Sequence, residues 1–172
     1  MAVRPDESGV HAGGGVPLQE GLRMNWTARD MDLYLQQSEY IDTAVVPLVG
    51  LGSEGPGMKQ SASETEFLMN LTAFLEHQFK GRLMLLPPFT YLDKSDKARL
   101  ASEWEASIAD MPFKHVFYLT TDQTWSAEGI IGDAIWIPSI PLEHMDKKLK
   151  QSVLEDQVRQ IIPVLTARWT GN

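Results

Sequence analysis

The chain has no cysteine in its 172 residues, which removes disulfides, thiolate metal sites and a cysteine nucleophile from its chemistry. It is also short of positive charge: 15 Lys and Arg face 23 Asp and Glu, a formal net charge of −8, with a sequence pI near 4.9. Neutralising a nucleic-acid backbone or an anionic bilayer needs a basic face, so sequence-independent nucleic-acid binding and polybasic membrane attachment are excluded. Long apolar runs are missing too. Leu83 to Leu86 is stopped by Pro87-Pro88, whereas a spanning helix needs roughly 20 residues, so the chain is not expected to be an integral membrane protein. Gly13-Gly14-Gly15-Val16-Pro17 stands where a secretory h-region would follow Arg4, and the expected location is the cytoplasm.

What is present suffices for one hydrophobic core: 43% of residues are hydrophobic, and the length suits one domain. The composition is uneven. Met1 to Arg23 hold five of the thirteen glycines and few apolar side chains, too little to offset the entropy of ordering them, so a disordered tail is expected there. Gln19-Glu20-Gly21 is compatible with codons reading CAGGAGGG, a ribosome-binding sequence two codons upstream of Met24, which makes Met24 the expected initiator. The domain is expected over residues 24–172. It opens with a helix capped by Thr27 with Asp30 three residues on, Trp26 packing on Met31 as a hydrophobic staple.

Four short β-rich runs follow, Thr43 to Val49, Arg82 to Leu86, His115 to Thr120 and Ala134 to Ile137. Their apolar residues are nearly continuous, which suits strands covered on both faces, as in a parallel sheet. Helical patterns lie between them. Ser63 with Glu66 forms a capping box, and Phe67, Leu68, Leu71, Phe74, Leu75 and Phe79 fall on one stripe before Gly81. Further helices are expected from about Ser95 to Asp110 and from Asp146 to Trp169, the last kinked or broken at Pro163. Such alternation predicts a three-layer α/β sandwich around a small, mainly parallel four-stranded sheet, Rossmann-like or flavodoxin-like, with an extra N-terminal helix. The short stretch from Thr121 to Gly132 leaves open an antiparallel fourth strand at an edge.

In open α/β sheets ligands bind beyond the carboxyl ends of the strands, and here the glycine-rich loop draws the eye. Gly50-Leu51-Gly52-Ser53-Glu54-Gly55 matches G-x-G-x-x-G, a pattern that lets backbone approach a pyrophosphate at a helix start. Three features oppose that reading: a helix start placed later by Pro56 and Ser63, a following strand ending in Pro87-Pro88 without an acidic residue, and the negative charge of Glu54. Met58 and Gln60 around Lys59 likewise break the P-loop run. A milder site remains, with Lys59, Gln60 and the amides from Ser61 to Ser63 holding an anionic group at the helix start. In the plainer reading the glycines make a turn, the serines cap and Lys59 is solvated.

The four histidines are dispersed, with no H-x-H or H-E-x-x-H spacing, and no metal site is expected. Asp122 and His144 are the acid-base candidates if strand-end loops bring them together. Trp104, Trp136 and Trp169 fit core-facing positions, whereas Phe89, Tyr91 and Trp125 are expected in strand-end loops, lining a pocket or an interface.

Trp26, Asp42-Thr43-Ala44-Val45-Val46-Pro47-Leu48, Gly57-Met58-Lys59-Gln60-Ser61-Ala62, Phe79-Lys80-Gly81-Arg82 and Leu86-Pro87-Pro88-Phe89-Thr90-Tyr91 together resemble the YpiF-like family of bacilli and related bacteria. The resemblance covers most of the chain from Met24 onward. The family is one of unknown function, and its frequent gene neighbours, those of the menaquinol–cytochrome c reductase, imply a respiratory or assembly context. A fainter likeness is to creatininase-type amidohydrolases, through the Gly52-Ser53-Glu54 loop and Leu86-Pro87-Pro88. Gly55, Pro56, Gly57 and Met58 stand where their metal ligands should follow, so that likeness implies no dinuclear centre and no retained activity.

The expected function is that of a cytoplasmic, non-catalytic accessory module without a cofactor, which binds a protein partner through Gly50 to Ala62 and Phe89 to Tyr91. The alternative is a binder of, or enzyme for, a small anionic ligand on the same face, with Lys59, Gln60, Ser61 and Ser63 as contacts and Asp122 or His144 as acid-base groups.

Overall fold

The computed structural model describes residues 24–171; the expected tail lies outside the described residues. In chain order the elements are α1 (Ala28–Gln37), β1 (Thr43–Leu51), α2 (Gly55–Gln78), β2 (Leu83–Leu85), β3 (Phe89–Leu92), α3 (Lys97–Ile108), β4 (His115–Thr120), α4 (Thr124–Ala127), β5 (Ala134–Trp136) and α5 (Lys147–Thr170). Among the described residues no helix is long and apolar enough to cross a membrane.

Strand β1 is the axis of the sheet. Its residues from Thr43 to Val49 are all buried, because it is paired on both edges and covered on both faces. β4 runs parallel along one edge, Thr43 opposite His115 through Leu48 opposite Thr120. β2 pairs with the start of the other edge, Val45 opposite Leu85, and β3 with its end, Leu48 opposite Phe89. β5 extends the sheet beyond β4, also parallel, which removes the antiparallel option. The sheet is thus four positions wide, its edge position shared by two short strands where one was expected. Counted by position, the order is second, first, third, fourth, as at the start of a flavodoxin-like sheet.

The shared edge follows from Pro47. Successive residues of a strand direct their backbone groups to alternate sides. Val45 accepts from Leu86 N at 2.9 Å and Leu51 from Asp93 N at 3.1 Å, so Pro47, an even number of residues from each, faces the same edge. It has no N–H to offer there. The facing strand is interrupted at Pro87-Pro88, and pairing resumes only at Phe89. A proline in a central strand is tolerated because its missing donor meets a gap rather than an acceptor.

The two faces of β1 build two cores. Val45 and Val49 join Phe67, Leu71 and Leu75 of α2 with Leu154, Val158 and Ile161 of α5. Ala44, Val46 and Leu48 join Tyr34 of α1, Ala101 and Ile108 of α3, and Trp125 of α4. These are the three layers expected. The α1 cap is as expected, Thr27 Oγ1 accepting from Asp30 N at 3.1 Å.

α2 departs from expectation. It begins at Gly55, with Glu54 as N-cap and Pro56 in its first turn, so Ser63 lies inside the helix. Pro56 supplies a helical φ without a lost bond. The hydroxyls of Ser61 and Thr65 donate back to the carbonyls of Met58 and Ser61, which removes their competition with helical backbone. α5 runs unbroken through Pro163, which lies exposed. Two tryptophans exchange roles: Trp136 is exposed on the edge strand β5, whereas Trp125 is fully buried in α4.

At the amino ends of the strands a polar clasp ties the layers together. Arg82 donates to both oxygens of Asp42, Nε to Oδ1 at 3.1 Å and Nη2 to Oδ2 at 3.2 Å. Its guanidinium lies 4.0 Å over the Trp169 ring, whose Nε1 donates to Thr43 Oγ1 at 2.8 Å. Burial alone would raise the Asp42 pKa; Arg82, the Thr43 hydroxyl and nearby His115 outweigh it and hold the carboxyl below the ordinary aspartate value. A lysine cannot reproduce the fork or the stack, so Arg82→Lys is expected to destabilise by about 1 kcal/mol in urea unfolding. With a lowered folded pKa, the Asp42 contribution is complete above about pH 4 and is lost as pH falls through the folded value. Asp42→Asn should flatten the stability profile in that window, measured as urea midpoints from pH 7 to pH 2.

Candidate functional site

The chain leaves β1 for one face of the sheet and reaches β4 from the other, so the crevice beyond their carboxyl ends is the topological switch point. A pocket of about 360 Å³ lies there, bounded by the Gly50 to Gly52 backbone, by Gln60, Ser61 and Glu64 of α2, by Tyr91, Asp93 and Lys97 on the β3 side, and by Thr121 to Gln123 after β4.

Asp122 organises it. Its Oδ1 accepts from Thr124 N at 3.0 Å and Thr124 Oγ1 at 2.7 Å, an Asx turn that starts α4. Its Oδ2 accepts from Tyr91 Oη at 2.9 Å and pairs with Lys97 Nζ at 3.2 Å. Burial opposes ionisation of Asp122, but Thr124, Tyr91 and Lys97 together hold its carboxyl below the ordinary value. Burial pushes the Tyr91 hydroxyl well above its usual range, and the Asp122 carboxylate adds to that. Lys97 also stands 5.7 Å over the Tyr91 ring. The carboxylate is saturated with donors, which suits a fixed scaffold better than a base awaiting a proton.

The loop glycines serve this packing. A Cβ on Gly50 would come within 3.0 Å of Tyr91 Oη, and one on Gly52 within 2.3 Å of the Gly57 carbonyl oxygen. The structure removes two objections to the dinucleotide pattern: α2 starts at the third glycine, and the edge strand continues through β3 to Asp93, which lines the pocket. It also supplies a stronger one. The space above the second glycine, where a pyrophosphate would approach, is taken by the backbone of Gly57 itself.

The other candidates are dispersed. Lys59 is exposed, 4.0 Å from Glu143. Gln60 donates to Glu64 at 2.7 Å at the pocket wall. Ser61 reaches the pocket but spends its hydroxyl on Met58, and Ser63 lies within the helix. The amides from Ser61 to Ser63 lie inside α2 and are not helix-start donors. His144 is exposed beside Glu143 at 3.5 Å and does not line the pocket that holds Asp122. Phe89 and Tyr91 belong to β3 rather than a loop; Phe89 packs edge-on against Trp104, ring centroids 4.3 Å apart. Trp125, expected in a strand-end loop, belongs to α4 and is buried edge-on to Tyr91, ring centroids 5.1 Å apart.

Sequence reasoning missed Asp93, Lys97 and Thr124. Two signals could have found them: the alternation in Phe89-Thr90-Tyr91, which makes a short strand ending before Asp93, and the Asp122-x-Thr124 spacing of an Asx turn. Among the described residues no group of three or more His, Cys, Asp or Glu is placed to hold a metal ion. Tyr91→Phe keeps the ring and removes the bond to Asp122, so it should cost about 1–2 kcal/mol. Gly50→Val should cost more, by driving Tyr91 from its seat; both are read from urea unfolding.

A family model described as "Protein of unknown function (DUF2487)" matches residues 32–169. The chain is 39% identical over 149 residues to "Uncharacterized protein YpiF" of Bacillus subtilis (strain 168), covering 86% of this chain and 99% of that relative. No solved structure matches. The clasp residues Asp42, Thr43, Arg82 and Trp169 and the pocket residues from Gly50 to Gln123 all lie within the matched span, and the chain belongs to this family of unknown function, as its YpiF-like blocks implied.

Proposed function

We propose that the chain is a non-catalytic cytoplasmic accessory protein that docks a protein partner on the carboxyl-end face, around the mouth of the switch-point pocket. One observation carries this reading. Leu51, Met58 and Leu92 keep 41%, 57% and 56% of their surface exposed although they adjoin one another: Leu51 is in register with Leu92 and shares a groove with Met58. An apolar cluster of this kind, rimmed by polar residues, is a common interface centre. Glu64 and Asp93 line the adjoining pocket and Glu66 the groove itself, so the partner is expected to flank its apolar contact with Lys or Arg. The saturated Asp122 and the isolated His144 support a non-catalytic role. The respiratory setting implied by the YpiF likeness belongs to the same proposal and is tested by the identity of the partner.

The test is a photo-cross-linking residue placed at Met58, at Leu92, or at the exposed Leu35 of α1 in the native host. The first two should give one discrete adduct that disappears with Leu51→Asp, and Leu35 should give none. No adduct, or the same adducts from Leu35, contradicts the reading. Leu51→Asp itself should change stability by no more than about 0.5 kcal/mol, because the side chain is already exposed.

The pocket supports a second reading, a small neutral polar ligand held by Gln60, Glu64, Asp93 and Gln123. Its three carboxylates against one Lys97 disfavour the anionic ligand expected from the sequence. A ligand at one hundred times its Kd would raise stability by about 2.7 kcal/mol, visible in a thermal-shift screen of sugars and nucleosides. A shift that persists in Asp93→Ala would place the ligand elsewhere.

A further inference from the structure

The sheet edge formed by β2 and β3 is closed along one half and open along the other. Beside β2 the chain covers its own edge: Leu85 N donates to Met24 O at 2.8 Å, and Asn25 bridges in parallel to Leu85. That segment turns away into α1 at Thr27. Beyond it, among the described residues, β3 pairs with β1 alone. Asp93 N donates to Leu51 O, so Tyr91 and Phe89, an even number of residues back, also direct their backbone groups to β1. Thr90 and Leu92 direct theirs outward. Leu92 O is used by Ser95 N at 3.0 Å, which leaves Thr90 N, Thr90 O and Leu92 N along the edge, an acceptor between two donors. Pro87-Pro88 guard the stretch before β3, but Thr90 and Leu92 are exposed and neither proline nor charged.

The two faces beside this edge are shaped for alternate side chains. On one, Trp26, Phe89, Trp104 and Met111 line a cavity of about 290 Å³. On the other, Leu92 stands in register with Leu51, which shares its groove with Met58. Strand addition uses both features, main-chain bonds supplying affinity and alternating pockets specificity. We propose that the partner docks by laying an extended segment along β3 as a new strand, its side chains alternating between the cavity at Trp104 and the groove at Leu51. The inference rests on the docking reading above and states how that docking is made. Glu66 in the groove and Asp93 at the end of β3 outweigh the neighbouring Lys94, so the segment is apolar at alternate positions and carries Lys or Arg at its ends.

The test titrates the full chain with a short synthetic peptide that alternates Val and Thr between lysine ends, and follows amide exchange residue by residue. Thr90 and Leu92 should gain protection, whereas Tyr91 and Asp93, already bonded to β1, should change little. Three changes should each weaken binding by about tenfold or more: methylating the peptide's backbone nitrogens, replacing its lysines by glutamates, and Thr90→Pro, which removes an outward N–H that β1 does not use. The exchange pattern and the methylated peptide need no folded variant. Absence of binding, or binding indifferent to both methylation and Thr90→Pro, overturns the added strand. Cross-links from Met58 and Leu92 that persist in Thr90→Pro keep the docking and reject the strand; their absence from the unsubstituted chain rejects the docking and the inference with it. A dimer of the purified chain that Thr90→Pro dissociates overturns the proposal by giving the edge to a second copy.

Discussion

A proline in the middle of the central strand constrains everything around it. β1 is paired on both edges and buried on both faces, so its missing N–H has to be absorbed by a neighbour. The neighbour absorbs it by breaking: Leu86 bonds to Val45, Pro87-Pro88 passes Pro47 without pairing, and β3 rejoins β1 at Leu48. Because the edge resumes as a strand, Tyr91 arrives in register with Gly50, the position where no side chain obstructs its ring. From there its hydroxyl reaches Asp122 at the end of β4. The site is thus a consequence of the strand that carries it, three steps removed.

The two ends of the sheet divide the labour. At the amino end the bidentate Asp42–Arg82 pair under Trp169 joins β1, the turn before β2 and the last turn of α5, a closed arrangement with its polar atoms engaged. At the carboxyl end the polar atoms converge on a pocket, and apolar side chains are left facing water. Exposed apolar side chains gather at the carboxyl end, where Leu51, Met58 and Leu92 face water. The blocks that resemble the YpiF family fall on both: Asp42-Thr43 and Phe79 to Arg82 on the clasp, Gly57 to Ala62 and Leu86 to Tyr91 on the loop and broken edge.

Much of this frame was legible in the residues. Continuous apolar runs located β1, β4 and β5, the Thr27 cap located α1, and the apolar period after Asp146 located α5, because burial and capping are local demands. The start of α2 was not legible, since Ser63 with Glu66 imitates a cap and only the fold shows that Ser61 and Thr65 bond back within a helix already formed. β3 was hidden behind Pro87-Pro88, whose meaning depends on Pro47 of another strand. Trp125 and Trp136 were exchanged because position in sequence does not distinguish a helix tucked beneath the sheet from an edge strand. Asp122 was read as a candidate, but its partners Asp93 and Lys97 escaped for the same reason: they come from separate segments, and only the strand order brings them together.

In the proposed function the carboxyl-end face is the docking surface of the molecule and the clasp end its anchor. Hydrogen–deuterium exchange tests this most directly, comparing the purified protein with the assembly isolated from its native host. Protection gained over residues 50–62 and 89–93, with α1 and the Asp42–Arg82 end unchanged, is the predicted result. Protection gained at α1 or at the clasp, with the carboxyl-end segments exchanging as in the free protein, would contradict it.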